Sequence, residues 1–101
     1  IERISQLNSE EIDELKDVMK ELEDTLSRMD EFKPNRFNYC QLGNALHHLH
    51  FHMIPRYKEP RTFNGETWVD ETYGNVPTWG KQEADESMVV ALRDAIKSHI
   101  N

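Results

Sequence analysis

Between residues 48 and 53 histidines alternate with apolar side chains, and this alternation restricts the fold more than any other pattern in the chain. The segment is His48-Leu49-His50-Phe51-His52-Met53. On a β-strand successive side chains point to opposite faces, so the three imidazoles would lie on one face. On an α-helix, which turns by about 100° per residue, they would spread over about 200°. The pattern therefore predicts a strand, which Pro55 ends or confines to a sheet edge.

A long amphipathic helix is predicted over residues 9–31. Asn8 is suited to cap its N-terminus, with Glu11 completing a capping box, and Pro34 stops the helix. Apolar residues recur at alternating intervals of three and four, which is typical of a helix with one buried face: Ile12, Leu15, Met19, Leu22, Leu26 and Met29. We expect this face to pack on a sheet, because three heptads are few for a coiled coil.

The segment from Arg36 to Leu42 is predicted to be a strand, since its aromatic residues suit a pleated surface. The pair Gly43-Asn44 predicts a turn, so this strand and the histidine strand are expected to form an antiparallel hairpin. Residues 57–82 predict an irregular loop, and residues 83–99 predict a second helix. We expect residues 1–101 to form a single α+β domain: a long helix on an antiparallel sheet, with the histidine strand near the sheet's centre, and a C-terminal helix.

Cys40 is the only cysteine of the chain, so no internal disulfide is expected. A lone thiol is typical of a reducing compartment, and the expected location is cytoplasmic. We expect Cys40 to be a half-buried strand residue rather than a catalytic thiol. No apolar run approaches the roughly 20 residues that span a bilayer, so no membrane partner is expected.

The net charge of −7 is unevenly distributed along the chain. Residues 1–31 carry a net charge of −7 and residues 63–101 carry −4, whereas residues 32–62 carry +4. The basic stretch contains the histidine row, and a local positive field attracts anions. The overall acidity argues against a nucleic acid polymer as partner, because such polymers require a broad basic surface. A small phosphorylated ligand agrees with both observations.

Three interpretations of the histidine row follow from its chemistry. Imidazole is a common ligand of zinc and copper, but the stretch has no nearby thiolate or acidic third ligand and its charge is positive. The histidines could also lie on an exposed strand face without a role, although three in alternation is an improbable accident in a chain with five histidines. In phosphoryl chemistry one imidazole attacks phosphorus while its neighbours donate to phosphate oxygens, and a spacing of roughly 6–7 Å along a strand suits this.

Residues 48–54 fit an alternating pattern in which three histidines are separated by apolar residues and followed by two more apolar positions. This pattern resembles the signature of the histidine triad (HIT) superfamily. The continuation Pro55-Arg56-Tyr57 is similar to the dinucleoside polyphosphate hydrolase branch of that superfamily. Asn38, Gly43 and Asn44 lie where the family places residues that contact phosphate or sugar, and Arg56 is a further candidate for substrate binding.

The resemblance implies hydrolysis or transfer of a nucleotidyl group at an α-phosphate, with no cofactor or metal required. His50 would be the nucleophile that forms a nucleotidyl-histidine intermediate. His52 would contact the phosphate and assist the leaving group or the incoming water, and His48 would orient the nucleophile through a hydrogen bond. Asn38 and Asn44 would hold the sugar-phosphate end of the substrate. Family members are commonly homodimers, so a homodimer is expected.

Three departures from the family's pattern qualify this expectation, one of them the long loop that carries Trp68 and Asp70, which is not a universal feature of the family. The family's pocket also draws on strands and a further histidine that precede the long helix, and these are expected to be missing before Ile1. Ala45 stands where many members have a hydroxyl residue that touches the phosphate. The favoured function is a nucleotide hydrolase or nucleotidyl transferase acting on a phosphoanhydride or phosphoramidate such as a diadenosine polyphosphate. The alternatives are a non-catalytic nucleotide-binding or dimerisation module and, third, a metal-binding protein.

Overall fold

Two helices and two small antiparallel sheets form an α+β arrangement in the computed structural model, which describes residues 1–42, 45–78 and 83–100. In chain order a 3-10 turn, a long helix, four strands and a second helix follow one another. They are the turn Ile4–Gln6, α1 Ser9–Arg28, β1 Arg36–Cys40, β2 His52–Arg56, β3 Arg61–Phe63, β4 Glu66–Trp68 and α2 Glu86–His99. The predicted α+β class is therefore confirmed.

The capping box predicted for α1 is present. The Asn8 side chain accepts the Glu11 backbone N–H at 2.9 Å, and the Glu11 carboxylate accepts the Asn8 N–H at 2.9 Å. The helix ends at Arg28, three residues before the predicted end, because Met29 leaves the helical conformation. This turn carries Met29, which has no solvent-exposed surface, into the core.

The apolar core is small and lies at the C-terminal end of α1. Leu26, Met29 and Phe32 form it, and half-buried side chains from the sheets and from α2 pack around them: Phe37, Met53, Phe63, Leu92, Ala95 and Ile96. Further towards the N-terminus of α1 the apolar stripe is more open, and Ile12 is 47% exposed. The expectation that the whole stripe packs on a sheet is thus met only near the helix end.

β1 and β2 pair antiparallel, as predicted, with Arg36 opposite Arg56 and Cys40 opposite His52. The predicted histidine strand was too long, since β2 begins only at His52. Because β1 ends at Cys40, the described residues before His52 have no ladder partner on β1. Their backbone groups bond elsewhere: the His48 N–H donates to Leu46 and the Leu49 N–H to Ile1.

The connection between β1 and β2 spans residues 41–51 rather than a two-residue turn. The predicted turn at Gly43 and Asn44 lies outside the described residues. In the described part of the chain β2 has one neighbour, β1, so the expected central position of the histidine strand is not found there. Cys40 is half-buried at the end of β1 and is a free thiol, in agreement with the structural role expected for it.

Residues 57–82 are not wholly irregular, because β3 and β4 form a second hairpin within them. Its turn is Asn64-Gly65, where both residues have positive φ, 49° and 81°. Two such residues in succession give the backbone twist that suits a two-residue hairpin, and Asn-Gly is the preferred pair for it. The sequence signal was therefore present, and the prediction of an irregular loop was wrong for residues 61–68.

α2 begins three residues later than predicted because Asp85 is its N-cap. The Asp85 carboxylate accepts the Met88 backbone N–H at 2.8 Å. That bond, together with one from the Ser87 hydroxyl, lowers the pKa of Asp85 below its usual value. The far end of α2 contacts α1, since Arg28 donates to the His99 carbonyl at 2.7 Å. Neither helix of the described chain is long and apolar enough to span a bilayer.

Candidate functional site

Two of the three histidines in the row have adjacent rings. The ring centroids of His50 and His52 are 5.3 Å apart, and the rings meet edge to face at 78°. Both residues are half-buried, whereas His48 is exposed. His52 is the first residue of β2, so the strand fixes its position, and His50 lies just before the strand begins.

The backbone of His48 holds the ring of His50. The Nδ1 atom of His50 lies 2.8 Å from the His48 carbonyl oxygen. A carbonyl oxygen only accepts hydrogen bonds, so the Nδ1 atom must carry the proton. In the neutral ring the second nitrogen, Nε2, then has the lone pair, as a nucleophilic imidazole requires. The group of His48 that makes this contact is its backbone carbonyl, and its expected orienting role stays a prediction.

The two faces of the β1–β2 sheet differ in chemistry. Residues directly opposite each other in an antiparallel pair share a face. Cys40 is opposite His52 and Asn38 is opposite Ile54, so Asn38, Cys40 and His52 lie on one face. Met53, the next residue along β2, points to the other face and packs in the core. The sheet therefore separates a polar face, which carries the candidate site, from a face that packs on the core.

Arg56 lies on the same polar face and is bound by a turn that we call the strap, residues 70–75. The Asp70 carboxylate accepts from Arg56 Nε at 2.7 Å and from Nη2 at 3.1 Å. The carbonyls of Thr72 and Asn75 accept from Nη2 and Nη1 at 2.7 and 2.8 Å. The remaining Nη1 hydrogen bond goes to the Asn38 side-chain oxygen on β1. Each of the five N–H donors of the guanidinium can thus be assigned a protein acceptor.

This ion pair is largely buried. The side chain of Arg56 is 3% exposed and that of Asp70 is 15% exposed. The bond from Arg56 lowers the pKa of the Asp70 carboxyl below its usual value, and backbone N–H groups of Tyr57 and Thr72 add to this effect. The same bond raises the pKa of Arg56, so both groups are charged at neutral pH.

Tyr57 joins the end of β2 to the core. Its hydroxyl donates to the Phe32 carbonyl at 2.8 Å, and the Arg61 guanidinium lies 5.0 Å from the centre of its ring. Burial raises the pKa of Tyr57 to about 12 despite the opposing charge of Arg61. The neutral hydroxyl therefore persists as a donor across the physiological pH range, and it fixes the strand behind the site.

The structure brings together part of the predicted set of site residues. His50 and His52 adjoin each other, and Asn38 lies on the same sheet face as His52. Gly43 and Asn44 lie outside the described residues, and their roles stay predictions. Arg56 would have to release a protein acceptor in order to bind a phosphate directly. In the described ranges no three His, Cys, Asp or Glu side chains converge as a metal site.

Sequence reasoning missed the strap. Asp70, Thr72 and Asn75 fall in a stretch rich in turn-forming residues, which predicts a turn but not what the turn contacts. Arg56 comes directly after Pro55 in a basic stretch, where its charge indicated an anion site. Only the fold places the carboxylate of Asp70 against that charge, and no local pattern could have indicated it.

Comparison with known families identifies a domain family for most of the chain. Residues 1–59 match the family model described as HIT domain, and these residues include the histidine row and Arg56. The match covers more than half of the chain, while the strap lies outside the matched residues. No curated protein matches the chain.

Proposed function

Because the chain belongs to the HIT domain family, whose members are generally nucleotide hydrolases or transferases, we propose that it cleaves a nucleotide at the α-phosphate. The substrate class is a nucleoside phosphoanhydride or phosphoramidate, such as a diadenosine polyphosphate. The reaction passes through a nucleotidyl-histidine intermediate on His50 and requires no cofactor. The sequence Pro55-Arg56-Tyr57 supports assignment to the dinucleoside polyphosphate hydrolase branch.

The observation that carries this proposal is the hydrogen bond from His50 Nδ1 to the His48 carbonyl. It places a proton on Nδ1, so the lone pair of the neutral ring lies on Nε2, as attack on phosphorus requires. It also fixes the ring, which lowers the entropic cost of aligning the nucleophile with phosphorus. The ring of His52 adjoins that of His50, with ring centroids 5.3 Å apart.

The proposed reaction has two displacement steps. In the first, the Nε2 lone pair of His50 bonds to the α-phosphorus, and the bond from phosphorus to the leaving group breaks. In the second, water bonds to phosphorus, the N–P bond breaks and the electron pair returns to Nε2. His52 donates to the phosphate, gives a proton to the leaving group in the first step and takes a proton from the incoming water in the second. With another nucleophile in place of water, the same intermediate gives transfer instead of hydrolysis.

Other residues of the proposed site hold the substrate. Asn38, together with Asn44 and Gly43, contacts the sugar-phosphate end, and Arg56 contributes to this binding. We also propose a homodimer in the cytoplasm. The unpaired thiol of Cys40 fits a reducing compartment.

The substitution His50→Ala tests the proposal. Turnover of diadenosine tetraphosphate should fall by at least about a thousandfold, because covalent catalysis is lost, while AMP still binds. Mass spectrometry of the quenched wild-type reaction should find an adenylyl group on His50. His47→Ala is the matched control, since His47 is exposed and pairs with Glu2 at 3.1 Å, and it should retain turnover. Normal turnover by His50→Ala would contradict the mechanism.

A second candidate function is a nucleotide-binding module without catalysis. Ala45 favours it, because alanine offers no hydroxyl donor where many family members contact the phosphate. This function predicts a rise in melting temperature with AMP together with no cleavage of diadenosine tetraphosphate. Any cleavage that depends on His50 would exclude it.

A further inference from the structure

We propose that Asp70 and Arg56 are positioning residues that orient the side-chain amide of Asn38 for nucleotide binding. This inference rests on the proposed function and revises the part that Arg56 plays in it. Arg56 acts through Asn38 rather than by touching the substrate, and the strap therefore belongs to the binding site without contacting the ligand.

The first step concerns which end of the amide faces Arg56. A guanidinium has only donors, and it donates to the Asn38 Oδ1 atom. The amide must therefore present its oxygen to Arg56 and turn its NH2 group away. Loss of Arg56 would remove this distinction between the two ends of the amide, which have almost the same shape.

The second step concerns where the NH2 group is directed. Asn38 stands opposite Ile54, so its two diagonal neighbours on β2 are Arg56 and His52. Diagonal pairs on one face of a sheet are about 7–8 Å apart. Turning the oxygen towards one diagonal places the NH2 group on the side of the other, where His52 begins the histidine site. A donor held there suits an oxygen of a phosphate or a ribose.

The third step concerns what holds Arg56 itself. Both oxygens of Asp70 accept from it, and a two-point contact fixes the plane of a guanidinium as well as its position. The carbonyls of Thr72 and Asn75 take further N–H groups. Asp70 thus orients Arg56, and Arg56 orients Asn38. A donor that is already oriented loses less conformational entropy when it binds its ligand.

Three variants test this chain of contacts. Asp70→Asn sets an amide NH2 group against the guanidinium and loosens it. Asn38→Asp keeps an acceptor for Arg56 but replaces the NH2 donor with an oxygen that repels phosphate. Asp94→Asn is the matched control, because Asp94 pairs with Arg93 on the exposed surface of α2. For each variant we would measure the melting temperature. At a temperature where the variant is folded, we would also measure the dissociation constant of AMP and the KM and kcat with diadenosine tetraphosphate.

We expect Asp70→Asn to raise the AMP dissociation constant and the KM by about fivefold, with kcat within about twofold, as loss of uniform binding requires. Asn38→Asp should raise both constants by at least about tenfold without lowering the melting temperature, since Arg56 gains an anionic acceptor. Because the ion pair also stabilises the fold, the melting temperature of Asp70→Asn should fall in either case, whereas a purely structural role would leave KM and the AMP dissociation constant unchanged. Asp94→Asn should match the wild type in every measurement.

The outcomes separate this inference from the function on which it rests. If the wild-type protein cleaves diadenosine tetraphosphate and Asp70→Asn has the same KM and the same AMP affinity as the wild type, the inference alone is overturned. Wild-type binding of AMP without turnover would contradict the enzymatic proposal, and weaker AMP binding by Asp70→Asn would still support the inference. A wild-type protein that neither binds AMP nor cleaves diadenosine tetraphosphate would overturn both.

Discussion

Replacing Arg56 with methionine should destabilise the protein and release the strap. The side chain is 3% exposed, and methionine fills a similar volume without donors. The substitution would leave the Asp70 carboxylate without its cation and remove the donor from Asn38. It would also remove the bonds to two strap carbonyls, those of Thr72 and Asn75. These polar groups must then form hydrogen bonds with water, which is easiest if the strap moves away from the sheet.

The magnitude follows from the burial of the pair. Breaking a buried ion pair by removing one partner costs about 3–5 kcal/mol. Asp70 retains 15% exposure and lies on a turn that can open to water, so the lower end, about 3 kcal/mol, is expected. Domains of this size are stable by about 5–15 kcal/mol. The small number of buried apolar residues in the described chain places this protein in the lower part of that range: Leu26, Met29, Phe32 and Met88.

Urea unfolding followed by circular dichroism measures the loss. With a slope of about 2 kcal/mol per molar urea, the midpoint should fall by about 1.5 M. Chymotrypsin should cleave faster after Tyr73, because the strap opens before the core unfolds. Arg93→Met is the matched control: its side chain is 58% exposed, and its ion pair should contribute less than about 1 kcal/mol. A loss below about 1 kcal/mol for Arg56→Met, or unchanged cleavage after Tyr73, would refute the reasoning.

Three further predictions concern acid, the core and the second hairpin. The pKa of Asp70 is lowered from 3.8, so the stability that its charge gives the folded protein is present above pH 3.8 and is lost as pH falls through the folded-state pKa. From pH 6 to 2.5 the melting temperature should therefore decline less in Asp70→Asn than in the wild type. Met29→Ala should lower the free energy of unfolding, measured in urea, by about 2–5 kcal/mol. A smaller loss would mean that the core collapses around the cavity. Gly65→Ala should cost about 1 kcal/mol, from its φ of 81° alone, since nothing lies within 4 Å of the added Cβ; an unchanged midpoint would contradict this.

Features encoded by neighbouring residues could be predicted from the sequence. The capping box of α1 needs only Asn8 and Glu11, and both of its hydrogen bonds are present. The antiparallel pairing of β1 and β2 was also predicted, from two strand patterns that follow each other in the chain, although residues 41–51 connect them rather than a two-residue turn. The capping box has its physical cause within a few residues of the pattern that indicated it.

Features that depend on a distant partner could not be predicted in the same way. The alternation from His48 to His52 fits a strand, but strand structure also needs a partner, and β1 ends opposite His52. The hydrogen bond that holds the ring of His50 follows from the irregular backbone upstream of β2. The contact between Asp70 and Arg56 depends on how the chain returns to the sheet, which no local pattern specifies. The catalytic roles of the three histidines stay predictions.

The network around Arg56 also bears on the order in which the chain folds. The side-chain partners Asn38 and Asp70 lie 18 and 14 residues away, whereas the contact between Arg28 and His99 closes a loop of 71 residues. Loop-closure entropy makes the 71-residue contact about 1.4 kcal/mol costlier than the 14-residue contact. The polar face of the sheet and its strap are therefore expected to assemble before the helices meet. Pulse-labelled hydrogen exchange would detect this as early protection of the Tyr57 amide, which donates to Asp70, and equal protection times for Tyr57 and α2 would exclude it.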